Sequence, residues 1–142
     1  MVERIDPYLT FNFLVEIDGI AVAGFSEVTG IRLEVETEEY REGGVNEYAH
    51  QLTKAARYPN LVLKRGMLDA SVLWDWQSEV MQGRVQRRTV HIVLMDEVRE
   101  EKWRWRCLQA YPVSWTGPDL RASDASATIE SLELVHKGLE RY

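Results

Sequence analysis

Four separate stretches of this chain alternate with a period of two, and that pattern builds strands that rest one face on a core. In residues 11–17, Phe11, Phe13, Val15 and Ile17 alternate with Asn12, Leu14 and Glu16. In residues 31–38, Ile31, Leu33 and Val35 point one way and Arg32, Glu34, Glu36 and Glu38 the other. Val90, Ile92 and Leu94 alternate with Thr89, His91 and Val93, and Trp103, Trp105 and Cys107 with Arg104, Arg106 and Leu108. The last strand, residues 127–137, carries Ile129 on one phase and Leu132 and Leu134 on the other. That slip predicts a bulge near Glu130-Ser131.

The turns between these runs are short. Asp18-Gly19 predicts a hairpin after the first strand, with residues 20–28 returning antiparallel and Gly24 marking a bulge or close approach. Thr29-Gly30 turns the chain again, giving a three-stranded meander. Leu61 and Leu63 make a short strand ending at Lys64-Arg65-Gly66. One helix is expected over about 69–82, capped by Asp69, with Val72, Leu73, Trp76 and Val80 on one face and Gly83 as its stop. Tyr111-Pro112 and Gly117-Pro118 bracket a short segment around Val113 and Trp115. The expected class is therefore mainly β: two packed antiparallel sheets, as a β-sandwich or small barrel, with one flanking α-helix.

The connection over residues 41–60 is about 20 residues, beyond the usual length of a structureless loop. Val45, Tyr48, Leu52, Ala55, Ala56 and Tyr58 give it too much apolar surface to stay disordered. It reads as a long extended arm that docks on something, and Gly43-Gly44 is its hinge.

Length and charge bound the function. The 142 residues suit one domain, 1–142, with a core that needs no cross-links. A net charge of -6 gives no chain-wide nucleic-acid footprint. Cys107 is the only cysteine, so neither an intramolecular disulfide nor a multi-cysteine zinc site can be written. No apolar run approaches a membrane span, and the N-terminal residues lack a signal-peptide pattern, so assembly in the cytoplasm without stable membrane insertion is expected.

No catalytic constellation emerges. His50, His91 and His136 sit in no motif that couples them to a nucleophile or metal. Cys107 shares a strand phase with Trp103 and Trp105 and reads as a small buried hydrophobe. The five tryptophans read as core. Arg87, Arg88, Arg104 and Arg106 could meet phosphate, but the aromatic-basic interleaving of a nucleic-acid surface is missing. No catalytic residue, cofactor or metal is expected.

The order FNFLVEIDG, AGFSEVTG, EEYREGG, NLVLKRG, LWDW, WRWRCLQAYPVSWTGP and IESLELVHKGL resembles the T4-like phage tail tube protein family. That family supplies inner tubes of contractile phage tails and of phage-tail-like contractile injection systems. The resemblance implies a non-enzymatic structural subunit. Six copies would close into a ring and rings stack into a hollow conduit, which carries cargo or DNA without sequence-specific binding. It implies sheath, baseplate or spike, and tube-terminator proteins as partners. An alternative within the family is the initiator ring joining tube to spike; a different class is a stand-alone small β-barrel binding module or hydrolase. The arm, with Tyr40, Arg41, Glu42, Gly43, Gly44, Asn46 and Tyr48, would form subunit contacts. Lys64 and Arg65 would meet acidic residues of a neighbour, such as Glu36 or Glu38. Glu34, Glu36 and Glu38 could instead line the lumen.

Overall fold

A computed structural model describes residues 12–20, 24–40, 50–67, 71–123 and 128–142. Nine strands and one helix follow in order: β1 (Asn12–Ile17), β2 (Phe25–Thr29), β3 (Glu34–Tyr40), β4 (His50–Arg57), β5 (Leu61–Gly66), α1 (Val72–Met81), β6 (Arg88–Met95), β7 (Glu101–Thr116), β8 (Ile129–Val135) and β9 (Gly138–Arg141). Seven strands form one antiparallel sheet in the order β1-β6-β7-β8-β5-β2, with β9 on β7; β3 and β4 pair only with each other. The sheet does not close into a barrel.

β7 explains how one sheet makes two layers. Its first part pairs with β6, through contacts such as Trp105 with Ile92 and Cys107 with Val90, and with β9. Its second part, from Tyr111, pairs with β8. At the changeover Gln109 has φ 52. A non-glycine residue in that region bends the strand where it passes from one layer to the other.

The core lies between the layers. Val15, Ile17, Val90, Ile92 and Cys107 come from one, Leu61, Leu63, Leu132 and Leu134 from the other, and Leu73 and Trp76 of α1 complete the cluster. The helix ends in a Schellman arrangement: Gly83 has φ 86, its N–H donates to Val80 O at 3.0 Å, and the Arg84 N–H donates to Glu79 O at 2.9 Å. Its first helical residue is Val72, and the cap position falls to Ser71, not Asp69, which lies outside the described residues.

Several expectations are corrected. The first three strands form no meander: β1 pairs with β6, β2 with β5 and β3 with β4. Asp18-Gly19 does turn, closed by Ile20 N–H to Ile17 O at 3.0 Å, but the chain then crosses to the other layer. Leu33 and Val35 are not inward, being 71% and 54% exposed; of that phase, Ile31 packs against the core. The arm is partly a strand, since β4 occupies most of its second half. Val113 and Trp115 belong to β7, which runs unbroken through Pro112 by shifting register there. β8 has no phase slip. Glu130, Leu132 and Leu134 share the buried face, and Ile129 is the exposed one. Trp74 and Trp103 are exposed, so only some of the tryptophans are core.

Candidate functional site

The groups with catalytic potential are committed to structure. Cys107 is fully buried, and desolvation pushes its thiol up to about 12, away from the thiolate a nucleophile needs. His136 lies within hydrogen-bond distance of two backbone carbonyls, Gly138 O at 3.1 Å and Pro59 O at 3.0 Å, and so ties the approaches to β5 and β9. His91 lies between Asp18 Oδ1, at 3.1 Å, and the Tyr142 hydroxyl. Arg104 and Arg106 pack over the Tyr142 ring. Arg106 is itself paired with Glu140 at 2.8 Å and Arg104 with Glu101. The assembly fastens the chain end to the solvent face of β6 and β7. His50 contributes its backbone to the β3–β4 pair. Among the described residues, no group of three or more His, Cys, Asp or Glu could hold a metal ion.

Lys64 and Arg65 part company. Lys64 stays half-exposed and lies 3.7 Å from Glu27. Arg65 is turned into the protein, where its Nε donates to Glu130 Oε1 at 2.5 Å and its guanidinium lies over the Phe25 ring. The Trp115 indole donates to the second oxygen of Glu130 at 3.1 Å. Arg65 is therefore engaged within its own chain and is not presented to Glu36 or Glu38 of a neighbour. The pairing carries a sequence signal: Arg65 is in phase with Leu61 and Leu63, and Glu130 with Leu132 and Leu134. Two opposite charges each continuing an apolar row point to a buried pair.

Of the remaining expected residues, Glu34, Glu36, Glu38 and Tyr40 lie on β3. Tyr40 pairs through its backbone with His50; Arg41, Glu42, Gly43, Gly44, Asn46 and Tyr48 lie outside the described residues. β3 carries Glu34, Glu36, Glu38 and Glu39 and no cation. Glu34 is paired with Arg32 and lies 3.8 Å from Arg57. Among the described residues, β3 and β4 make their main contacts with each other. A two-stranded ribbon of this kind is marginal in water without support from another layer.

Two exposed apolar features went unread in the sequence. On α1, Trp74 is 53% and Met81 80% exposed, on the side away from Leu73 and Trp76. At the free edge of β9, Trp103 and Trp105 stack with centroids 5.5 Å apart, and the Arg141 guanidinium lies 3.6 Å from the Trp103 centroid. Trp103 shares the inward phase of β7 but lies beyond the end of the core, so periodicity alone does not expose it.

Comparison with known proteins adds to this geometry. The profile of the family described as T4-like virus tail tube protein gp19 matches residues 9–140. No curated protein matches the chain. Among solved structures, a chain of the anti-feeding prophage baseplate, six-fold symmetrised, has a TM-score of 0.77 at 25% identity, over 99% of this chain and 97% of that one. A chain of the anti-feeding prophage tube-terminating cap has a TM-score of 0.85 at 22% identity, over 100% and 95%. A chain of the sheath-tube complex of PVC, an extracellular contractile injection system, has a TM-score of 0.82 at 22% identity, over 98% and 91%. The likenesses at 22% identity show a shared fold.

Proposed function

The chain belongs to the T4-like virus tail tube protein family, and on that premise we propose that it is a structural subunit of the inner tube of a contractile injection system or phage tail. The observation that carries this reading is the family match over residues 9–140. Copies close into six-membered rings, and rings stack into a hollow conduit that carries cargo or DNA without reading its sequence. Sheath, baseplate or spike, and terminator proteins are the partners this role calls for.

The surface supports such a role. Among the described residues, β1, β2 and β9 each pair on one side only, and such edges suit completion by other copies. Ring closure uses up edges, and head-to-tail stacking continues without limit. Among the described residues, no helix is long and apolar enough to cross a membrane.

The test is assembly of the purified chain, followed by sedimentation velocity and negative-stain microscopy over a concentration series. Rings of uniform diameter that stack into tubes are expected. A chain that stays monomeric at every concentration overturns the reading.

A further inference from the structure

The outer side of α1 holds a small pocket with an unmet acceptor. Trp74, Gln77, Ser78 and Met81 fall at i, i+3, i+4 and i+7, so they form a second stripe beside the buried Leu73 and Trp76. With Gln82 they line a pocket of about 230 Å³. Its rim is apolar and open, since Trp74 is 53% and Met81 80% exposed. Gln77 is the most buried of the five, at 8% exposed. Its Oε1 is closed to solvent and meets no hydrogen-bond donor among the described residues. A buried acceptor left in that state is costly, and supplying a donor removes the cost. The last torsion of a glutamine is soft, so the amide turns toward the pocket with little strain.

The aromatic wall of the pocket is fixed in advance. Trp74 meets Trp115 edge to face, with centroids 4.9 Å apart and planes at 88°. Trp115 is anchored in turn by its indole donation to Glu130 at 3.1 Å. A wall held in this way loses little freedom when a further ring packs on it.

We propose that this pocket receives one tryptophan side chain of a partner protein, its ring against Trp74 and Met81 and its N–H donating to Gln77 Oε1. An indole has one donor and no acceptor, so it meets the lone oxygen and leaves no polar atom of its own unpaired. The thioether of Met81 adapts to an aromatic surface. The occupant belongs to a protein because the pocket is shallow. A free ring covered on one side gains few contacts, whereas a ring carried on a partner's surface adds to the contacts around it. The inference concerns a helix face and its ligand chemistry, and it stands apart from the tube reading.

N-acetyltryptophanamide is the probe, and its benzothiophene analogue, in which sulfur replaces the indole N–H, is the control. Titration of the purified chain followed by ligand-observed NMR should show saturable binding, with the tryptophan probe about tenfold tighter than the analogue. Gln77→Leu should remove that preference and still bind the analogue. Met81→Ala, at a position too exposed to disturb folding, should weaken both probes, and it keeps the test decisive if Gln77→Leu fails to fold. Equal affinity of the wild type for the two probes overturns the proposal, as does binding that Met81→Ala leaves unchanged. Free indole bound more tightly than the amide makes the site one for a small molecule and overturns the partner. Absence of saturable binding overturns it outright.

Discussion

Arg65 and Glu130 form an ion pair inside the sheet, Nε to Oε1 at 2.5 Å, with side chains only 2% and 5% exposed. A pair so placed fixes the register of β5 against β8, where the two residues lie directly opposite. Breaking it is costly because the survivor is left charged and dry. Glu130→Ala should lose about 3–5 kcal/mol of stability in urea unfolding, and Arg65→Met a comparable amount. Arg65→Met combined with Glu130→Leu should recover most of that loss, short of the hydrogen bond from the Trp115 indole. Single variants as stable as the wild type would mean that water reaches the pair.

Gly30 and Gly24 test the turns around β2. Both have positive φ, 96 and 77. A Cβ on Gly30 would overlap the Asn60 carbonyl oxygen, whereas one on Gly24 would meet nothing within 4 Å. Gly24→Ala should cost only the backbone strain, about 1–2 kcal/mol. Gly30→Ala should cost clearly more, because β2 must shift away from the start of β5. Equal melting temperatures for the two would contradict the close approach.

Cys107 should resist alkylation in the folded protein. With its thiol at about 12, the thiolate fraction at pH 8 is on the order of one in ten thousand. Labelling by iodoacetamide should therefore follow global unfolding. The raised value also fixes a sign: the folded state keeps a proton that the unfolded thiol loses first. Stability from this group is complete below the ordinary thiol range and falls as pH rises through about 12. Cys107→Ala should flatten that alkaline limb, at the expense of a small cavity.

Glutamine at Glu34, Glu36 and Glu38 together separates a wall from a joint. These residues lie on β3, which belongs to the separate two-stranded sheet. The expected outcome is weaker ring formation by sedimentation, with monomer stability changed by less than about 1 kcal/mol, as for exposed ion pairs such as Glu34 with Arg32. Tubes that form normally but hold their cargo differently would instead put the glutamates on the bore.

Strand content, the single helix and the family were legible because alternation and ordered motifs are local. Pairing partners were not. The Asp18-Gly19 turn reads as a hairpin, yet β1 is claimed by β6, whose Val90 and Ile92 lie directly across from Ile17 and Val15. Glu130 shows the reverse failure: a carboxylate on an apolar row looked like a register slip, because its partner is 65 residues away. In residues 31–38 only Ile31 of the apolar phase packs against the core, while Leu33 and Val35 are exposed, which alternation alone does not distinguish. Arg65, expected at a contact with a neighbour, is instead buried against Glu130, because its surroundings depend on the fold of β8.

The sixteen residues of β7 have a mechanical consequence. Because one backbone runs through both layers, a force drawing them apart pulls on covalent bonds instead of on a row of hydrogen bonds. The subunit can be opened only by peeling β6 or β8 from opposite ends of the same strand. Thrust passed along a column of such subunits would then strain the junctions between copies before it strained any copy itself.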